Sequence, residues 1–336
     1  MPNTSPESHR GWTNRSVLVT GAGGFIGSHL TERLANEGAN VRALIHYNSA
    51  GTHGWLEDSS VVKDIQLIAG DICDRDRLRE AMQGVSVVFH LAALIAIPYS
   101  YSAPASYVRT NIEGTLNVLQ TARELGIERV IHTSTSEVYG TARYVPMDED
   151  HPLQGQSPYS ASKIGADKIA ESFYLSFGLP VVTVRPFNTF GPRQSARAVI
   201  STIITQCLNG ATVNLGNVHP TRDFSYVANT VDGFLLAASS AEAVGKTINL
   251  GSNREISITD LVNLVVEQIG RPVTIKTDEQ RVRPKASEVE RLYADNTLAR
   301  TLLAWEPRVS LEEGLKLTID WLRERREHYQ ADVYAI

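Results

Sequence analysis

The stretch "SVLVTGAGGFIGSHLTERLANEG" (residues 16–38) constrains the fold more than any other part of the chain. Ser16 to Thr20 form a short apolar run suited to a buried strand. Glycines follow at 21, 24 and 27, and Ile26, Leu30 and Leu34 then fall on one helical face until Gly38 stops the helix. A strand, a G-x-x-G-x-x-G loop and a helix in direct succession have a physical logic. Gly21 permits the tight turn, Gly24 lets backbone approach a pyrophosphate, and Gly27 lets the helix pack closely on the strand. The helix N-terminus offers unpaired amides and the positive end of its dipole to the phosphates. A lone glycine loop is otherwise just a turn, but this context predicts a dinucleotide site.

The rest of the chain repeats the alternation. "NVRALIH", "IQLIAGDI", "VSVVFHLAA", "IERVIHTST" and "PVVTVRPFNTFGP" read as further strands, with helices over "IEGTLNVLQTARELG" and "YSASKIGADKIAESFYLSFG". Strands alternating with helices predict an α/β fold, a doubly wound parallel sheet with helices on both faces. After Pro192 the rhythm loosens. "AVISTIITQCLNG" reads as a helix, "TRDFSYVANTVDGFLLAASS" as a turn and helix, and "KTINLGS" as a strand. "SITDLVNLVVEQIG" reads as a helix capped by Ser257, and "SLEEGLKLTIDWLRERREHYQ" as a last one. The expected division is a flexible leader over 1–14, a dinucleotide-binding domain over 15–187 plus 221–255, and a smaller interleaved substrate lobe over 188–220 plus 256–330.

Composition narrows the classes. The 336 residues exceed a typical single domain, and 42% hydrophobic with 21% charged residues describes an ordinary globular protein. The net charge of −5, with no basic run, argues against a nucleic-acid partner. Cys73 and Cys207 stand far apart, which predicts neither a disulfide framework nor a Cys-rich metal site. The polar opening "MPNTSPESHRGWTNR" is no signal peptide, and no apolar run approaches the ~20 residues of a membrane span. The expectation is a protein of the reducing cytoplasm, with no membrane partner.

Two clusters carry chemistry. "YSASK" sets Tyr159 and Lys163 four apart on a predicted helix, so both project from one face. An ammonium beside a phenol favours the phenolate, which predicts a lowered tyrosine pKa and a usable base; the plainer reading is a surface pair. The strand "IERVIH" breaks into Thr133, Ser134, Thr135, Ser136 and Glu137 at its carboxyl end, where ligands gather in open α/β sheets. For the dinucleotide, the second strand ends in Ile45, His46, Tyr47 and Asn48 with no acid to read a ribose, so NAD and NADP both stay open. Asp71 is placed either to meet the adenine edge or to cap its own turn.

With "GAGGFIG", "DI" after the third strand, "HLAA", "TNIEGTLNVL", "STSEVYG", "YSASK", "RPFNTFGP" and "TRDFSYV" in order, the chain resembles extended short-chain dehydrogenases/reductases of the sugar-nucleotide epimerase/dehydratase family. That resemblance implies a Rossmann domain, a nucleotide-sugar lobe and a homodimer joined by helices. It implies cofactor contacts at Gly21, Gly24, Phe25, Ile26, Gly27, His46, Asn48, Asp71, Ile72, Leu91, Ala92, Ala93 and Thr110, together with Tyr159 and Lys163. For a nucleotide-diphosphate sugar it implies Asn188, Arg193, Arg222 and Arg283, which suits the forked donors a diphosphate needs.

By the same resemblance, Thr135 bonds the sugar 4-oxygen, Tyr159 is the base for oxidation at C4, and Lys163 tunes it. Glu137 separates the subfamilies: simple 4-epimerases commonly carry a small non-acidic residue there, whereas a carboxylate can take the C5 proton of a 4,6-dehydratase. Glucose-type dehydratases carry Thr-Asp-Glu; Ser136 replaces the acid here, so protonation of the leaving hydroxyl falls to a water or to Glu137. Nucleotide-sugar decarboxylases also keep a Ser-Glu pair and an arginine resembling Arg222. The segment "ALIAIPYSYSAPASYVRTNIEGT" is more similar to N-acetylglucosamine-type 4,6-dehydratases, and that favours dehydration over decarboxylation, epimerisation or a turnover-free sensor.

Overall fold

The computed structural model describes residues 11–329. Seven parallel strands form the central sheet: β1 (Ser16–Thr20), β2 (Asn40–Ile45), β3 (Gln66–Ala69), β4 (Val87–His90), β5 (Arg129–Thr133), β6 (Val181–Pro186) and β7 (Thr247–Leu250), in the order β7-β6-β5-β4-β1-β2-β3. The order reverses between β1 and β4, which places the glycine loop at the switch point where such sheets bind ligands. Alternation along β1 sends Val17 and Val19 to one face and Leu18 to the other.

On the first face, α1 (Phe25–Asn36) packs through Leu30 and Leu34. On the second, α2 (Arg75–Met82), α3 (Gly114–Leu125) and α4 (Pro158–Phe177) bury Leu78, Val118, Leu119 and Phe173 against Leu18, Val88 and Val130. A widened π-type turn, Val108–Glu113, leads into α3. The start of α4 is fixed by a capping box between Ser157 and Ser160 with Pro158 in the first turn, and its end by Gly178 at φ 67°. That start sets where Tyr159 stands.

The smaller lobe gathers α5 (Val199–Asn209), α7 (Ile258–Ile269) and α9 (Leu311–Glu324), while α6 (Val227–Ser239) and α8 (Thr297–Leu303) return to the sheet. Of these, α5, α7 and α9 share a separate core with Phe190, Val213 and Leu215. The Ser257 cap is present, accepting from the Asp260 amide at 3.0 Å.

Three expectations about boundaries are corrected. Residues 1–10 lie outside the described residues, but Trp12 is buried in the first core against Phe89, with ring centroids 5.6 Å apart. The leader reading therefore fails for 11–14, because one indole outweighs a polar neighbourhood. Helix α8 and Trp305, assigned by sequence to the lobe, pack into the core of the large sheet, where the Trp305 indole N–H donates to the Asn229 carbonyl at 2.9 Å. Conversely, Thr221–Asp223, assigned to the large domain, pairs antiparallel with Glu255–Ser257 off the sheet. Among the described residues no helix is long and apolar enough to cross a membrane.

Candidate active site

A cleft of about 1070 Å³ runs from the glycine loop past the ends of β4 and β5 to the small lobe. Its first arm is made of backbone. Gly21 has φ 70°, and a Cβ there would stand 2.9 Å from the Ala92 amide nitrogen. A Cβ on Gly27 would fall on the Gly21 carbonyl oxygen, well inside van der Waals contact. No side chain caps α1 at Gly24, so its first-turn amides are left to the cleft that Gly24, Phe25, Ile26 and Gly27 line. These residues fit the pyrophosphate of a dinucleotide. Leu91, Ala92, Ala93, His46 and Asn48 line the same arm.

Asp71, Ile72 and Thr110 are not among the lining residues. The Asp71 carboxylate turns into its own turn, accepting from the Cys73 amide at 2.8 Å, with the other oxygen 3.5 Å from His46 Nε2. Ile72 is buried beside Gly114, and Thr110 sits in the π-type turn.

The second arm is the end of β5. Thr135 opens a single helical turn, Ser136–Tyr139, and its hydroxyl accepts from the Glu137 amide at 3.2 Å. Ser136 is buried, while Glu137 is half-buried and lines the cleft with Thr135, Tyr159 and Lys163. The Tyr159 phenol shares a hydrogen bond with the Thr135 hydroxyl. The predicted lowering of its pKa is overturned. Burial pushes the phenol well above its ordinary value; the bond to Thr135 opposes this and the Glu137 carboxylate adds to it. Lys163 instead donates to the Thr133 carbonyl at 2.6 Å, and burial pulls its ammonium down to about 8 against the pull of Asp167. The chain's own groups thus keep Tyr159 a phenol until a further positive charge joins it.

The third arm carries the cations. Arg193, Arg222 and Arg283 line it with Asn188. Asn188 Nδ2, Arg193 Nη1 and Arg283 Nη1 are buried without a hydrogen-bond partner, which is costly unless a ligand supplies the acceptors. Arg222 is buried, donates to the Thr221 carbonyl at 2.9 Å and lies 3.5 Å from Glu288. Arg283 stands 3.7 Å from the same carboxylate, which also accepts from Asn217 at 3.0 Å. Arg193 is tied to Glu32 of α1 at 2.9 Å and takes φ 71°, a positive value that a turn must hold.

Sequence reasoning missed several contributors. Trp55 donates its amide to the Gly23 carbonyl at 3.0 Å and packs edge-on against Trp321 of α9 with centroids 5.5 Å apart, joining the glycine loop to the lobe. Tyr329 lines the cleft and donates to the Gln194 carbonyl at 2.7 Å. Asn111 bonds both the amide and the carbonyl of Leu94, at 2.9 Å each, and reaches Ser162 of α4. Glu288 joins two arginines 66 and 5 residues away, and only the first of those distances hides it from local patterns.

The family model described as GDP-mannose 4,6 dehydratase matches residues 18–318. The chain belongs to the extended short-chain dehydrogenase/reductase family of NAD-dependent epimerases and dehydratases. It is 32% identical over 318 residues to a UDP-glucose 4-epimerase of Mycolicibacterium smegmatis, covering 93% of this chain and 99% of that one. It is 31% identical to UDP-glucuronic acid decarboxylase 1 of Xenopus tropicalis over 95% of this chain and 75% of that one. Among solved structures, dTDP-glucose 4,6-dehydratase of Streptomyces venezuelae with NAD bound superposes with a TM-score of 0.85 at 29% identity, over 94% of this chain and 98% of that one. An epimerase, a decarboxylase and a dehydratase thus all match at about 30% identity, and the site residues have to divide them.

Proposed function

We propose that this nucleotide-sugar-modifying enzyme is a 4,6-dehydratase that uses NAD. The observation that carries the reading is the Glu137 carboxylate, half-buried in the cleft beside Thr135 and Tyr159. NAD would be held along the glycine loop by Gly21, Gly24 and Gly27 and, when bound, would supply a reversible two-electron oxidation of the sugar. NAD is preferred to NADP because the similar Streptomyces venezuelae dehydratase binds NAD.

Thr135 and Tyr159 hold the sugar 4-hydroxyl, and Tyr159 takes its proton as C4 is oxidised. Burial keeps Tyr159 protonated, and a bound nicotinamide would supply the positive charge that counters it. The ketone at C4 acidifies C5, and Glu137 removes that proton. The C6–O bond then breaks to give the C5–C6 double bond. Because Ser136 is a poor acid, Glu137 hands the proton it has just taken to the leaving hydroxyl, which departs as water. Hydrogen returned at C6, with solvent reprotonating C5 through Glu137 and Tyr159 releasing to solvent the proton it took from the 4-hydroxyl, would complete a 4-keto-6-deoxy sugar. Arg283 and Arg222, with Asn188, hold the diphosphate of the substrate; the unpartnered donors on Arg283 and Asn188 support that role.

Ser136 is the observation that favours a decarboxylase instead, since loss of carbon dioxide needs no acid for a leaving hydroxyl. Product mass divides the readings. Purified protein is incubated with UDP-N-acetylglucosamine, GDP-N-acetylglucosamine, GDP-mannose and UDP-glucuronic acid in parallel. A dehydratase removes one water from a neutral sugar. Loss of carbon dioxide from the uronic acid alone, or inversion without change of mass, overturns the proposal.

A further inference from the structure

One helical turn beyond Lys163 on α4, Asp167 lies in the core with 4% of its surface exposed. It is not part of the cleft, yet its carboxylate is tied to the elements that hold the reacting groups. One oxygen pairs with His132 Nε2 of β5 at 3.0 Å. The other accepts from the Ser134 hydroxyl at 2.7 Å, and from Nε and Nη2 of Arg185 on β6 at 3.3 and 3.0 Å. Arg185 Nη1 donates to the Tyr139 hydroxyl at 2.9 Å, which donates in turn to Asn249 Oδ1 at 2.7 Å. Ser134 immediately precedes Thr135, and Tyr139 closes the turn that carries Glu137. Burying so many polar and charged groups is no efficient way to join strands, because well-packed apolar residues do this at least as stably.

The charges around Lys163 point to a different purpose. On its own helix it shares the core with Tyr159 and Asp167; β5 contributes His132, β4 contributes His90, and Arg185 approaches from β6. Glu137 acts on Tyr159 from the cleft side. Burial holds both histidines below their ordinary range, so they remain neutral near pH 7. Asp167 is held well below the usual carboxylate range, at about 2: burial opposes this, but the bond from His132 and the charges of Arg185 and Lys163 outweigh it. Within this group Asp167 is the carboxylate that answers two buried cations.

We propose that Asp167 is a positioning residue of the reaction: its carboxylate is the counter-charge that keeps the Lys163 ammonium in the core beside Tyr159, and through Ser134 and Arg185–Tyr139 it fixes the turn that presents Glu137. Removing the carboxylate takes away the negative charge one helical turn from Lys163, and the ammonium gives up its proton more readily. Removing Arg185 leaves the carboxylate to Lys163, and the ammonium holds its proton more tightly. The two changes have opposite signs, which a purely architectural tie does not produce.

The test is an NMR titration of isotope-labelled lysine side chains in the full chain, with the Lys163 signal assigned by its disappearance in Lys163→Met. This readout needs no substrate and is independent of the reaction proposed above. In Asp167→Asn the Lys163 midpoint falls by about one pH unit or more, and in Arg185→Gln it rises. Turnover, which does rest on the proposed reaction, gives the second readout. In Asp167→Asn the alkaline limb of kcat/KM moves down by the same interval and kcat drops about tenfold, while KM stays within about twofold. Equal Lys163 midpoints in parent and variants, with only a lowered melting temperature, overturn the proposal. If Asp167→Asn does not fold, Arg185→Gln decides alone: a midpoint that stays or falls overturns it.

Discussion

The glycine loop and the end of β5 stand on two strands separated only by β4, and they meet ligand by opposite means. The loop removes side chains. Gly21, Gly24 and Gly27 leave backbone amides and a bare helix end, and an added Cβ at Gly27 would strike a backbone carbonyl. The end of β5 adds side chains and locks them: Thr135, Glu137, Tyr159 and Lys163 face the cleft while His132, Asp167, Arg185 and Tyr139, joined to it through Ser134, hold them from behind. A shape made of backbone suits a phosphate that every such dinucleotide shares. A shape made of side chains suits the step in which related enzymes differ. The difference predicts that damage to the first arm abolishes binding, whereas damage to the second leaves binding and stops chemistry.

The largest effect belongs to the loop. Gly27→Ala forces backbone apart at the Gly21 carbonyl and is expected to weaken dinucleotide binding by about a hundredfold or more, measured by calorimetry on folded protein. Binding equal to the parent's contradicts the backbone cradle. At β5, Tyr159→Phe is expected to lower kcat by about a thousandfold, with cofactor affinity within about twofold, and no reduced cofactor forms on mixing with substrate. Glu137→Gln lowers kcat by about a hundredfold but lets the first oxidation proceed, so reduced cofactor accumulates in stopped-flow absorbance. Unchanged turnover in Glu137→Gln removes the reason for preferring dehydration.

A smaller effect is expected in the third arm. Arg283→Gln removes a forked donor from the diphosphate and raises the Kd for the nucleotide sugar about tenfold, with kcat changed by less than about threefold. The smallest effect lies at the edge strand β7, where Glu149 accepts from the Asn249 amide at 2.8 Å. Burial lifts its carboxyl to about 7 from an ordinary 4.5. The folded state therefore binds the proton that the unfolded state releases between those values, so the stabilisation is complete below 4.5 and is lost as pH rises through 7. Glu149→Gln keeps the acceptor and removes the titration. It is expected to melt higher than the parent above pH 7 by roughly 1 kcal/mol of stability, discounted for partial exposure, and to match it in acid. A parent whose melting temperature is flat across this window contradicts the assignment.

The comparison also explains what could be read from sequence. The glycine loop, the Ser257 cap and the spacing of Tyr159 and Lys163 are local, and each is visible within a few residues. What was not visible depends on partners distant in sequence. The spacing of "YSASK" places Lys163 near Tyr159 but says nothing of how deeply both are buried, and burial reverses the expected shift of the phenol. Asp167 reads as one more helical carboxylate until His132 and Arg185, 35 and 18 residues away, close on it. Trp12 lies in a polar stretch and is buried in the first core, where Phe89 of β4 meets it.

The most direct test of the central claim follows one hydrogen. A nucleotide sugar carrying deuterium at C4 is turned over in ordinary water, and the product is read by NMR and mass spectrometry. The account predicts that the product has lost water and carries the deuterium at C6. Deuterium found back at C4, with or without inversion there or loss of carbon dioxide, would contradict it.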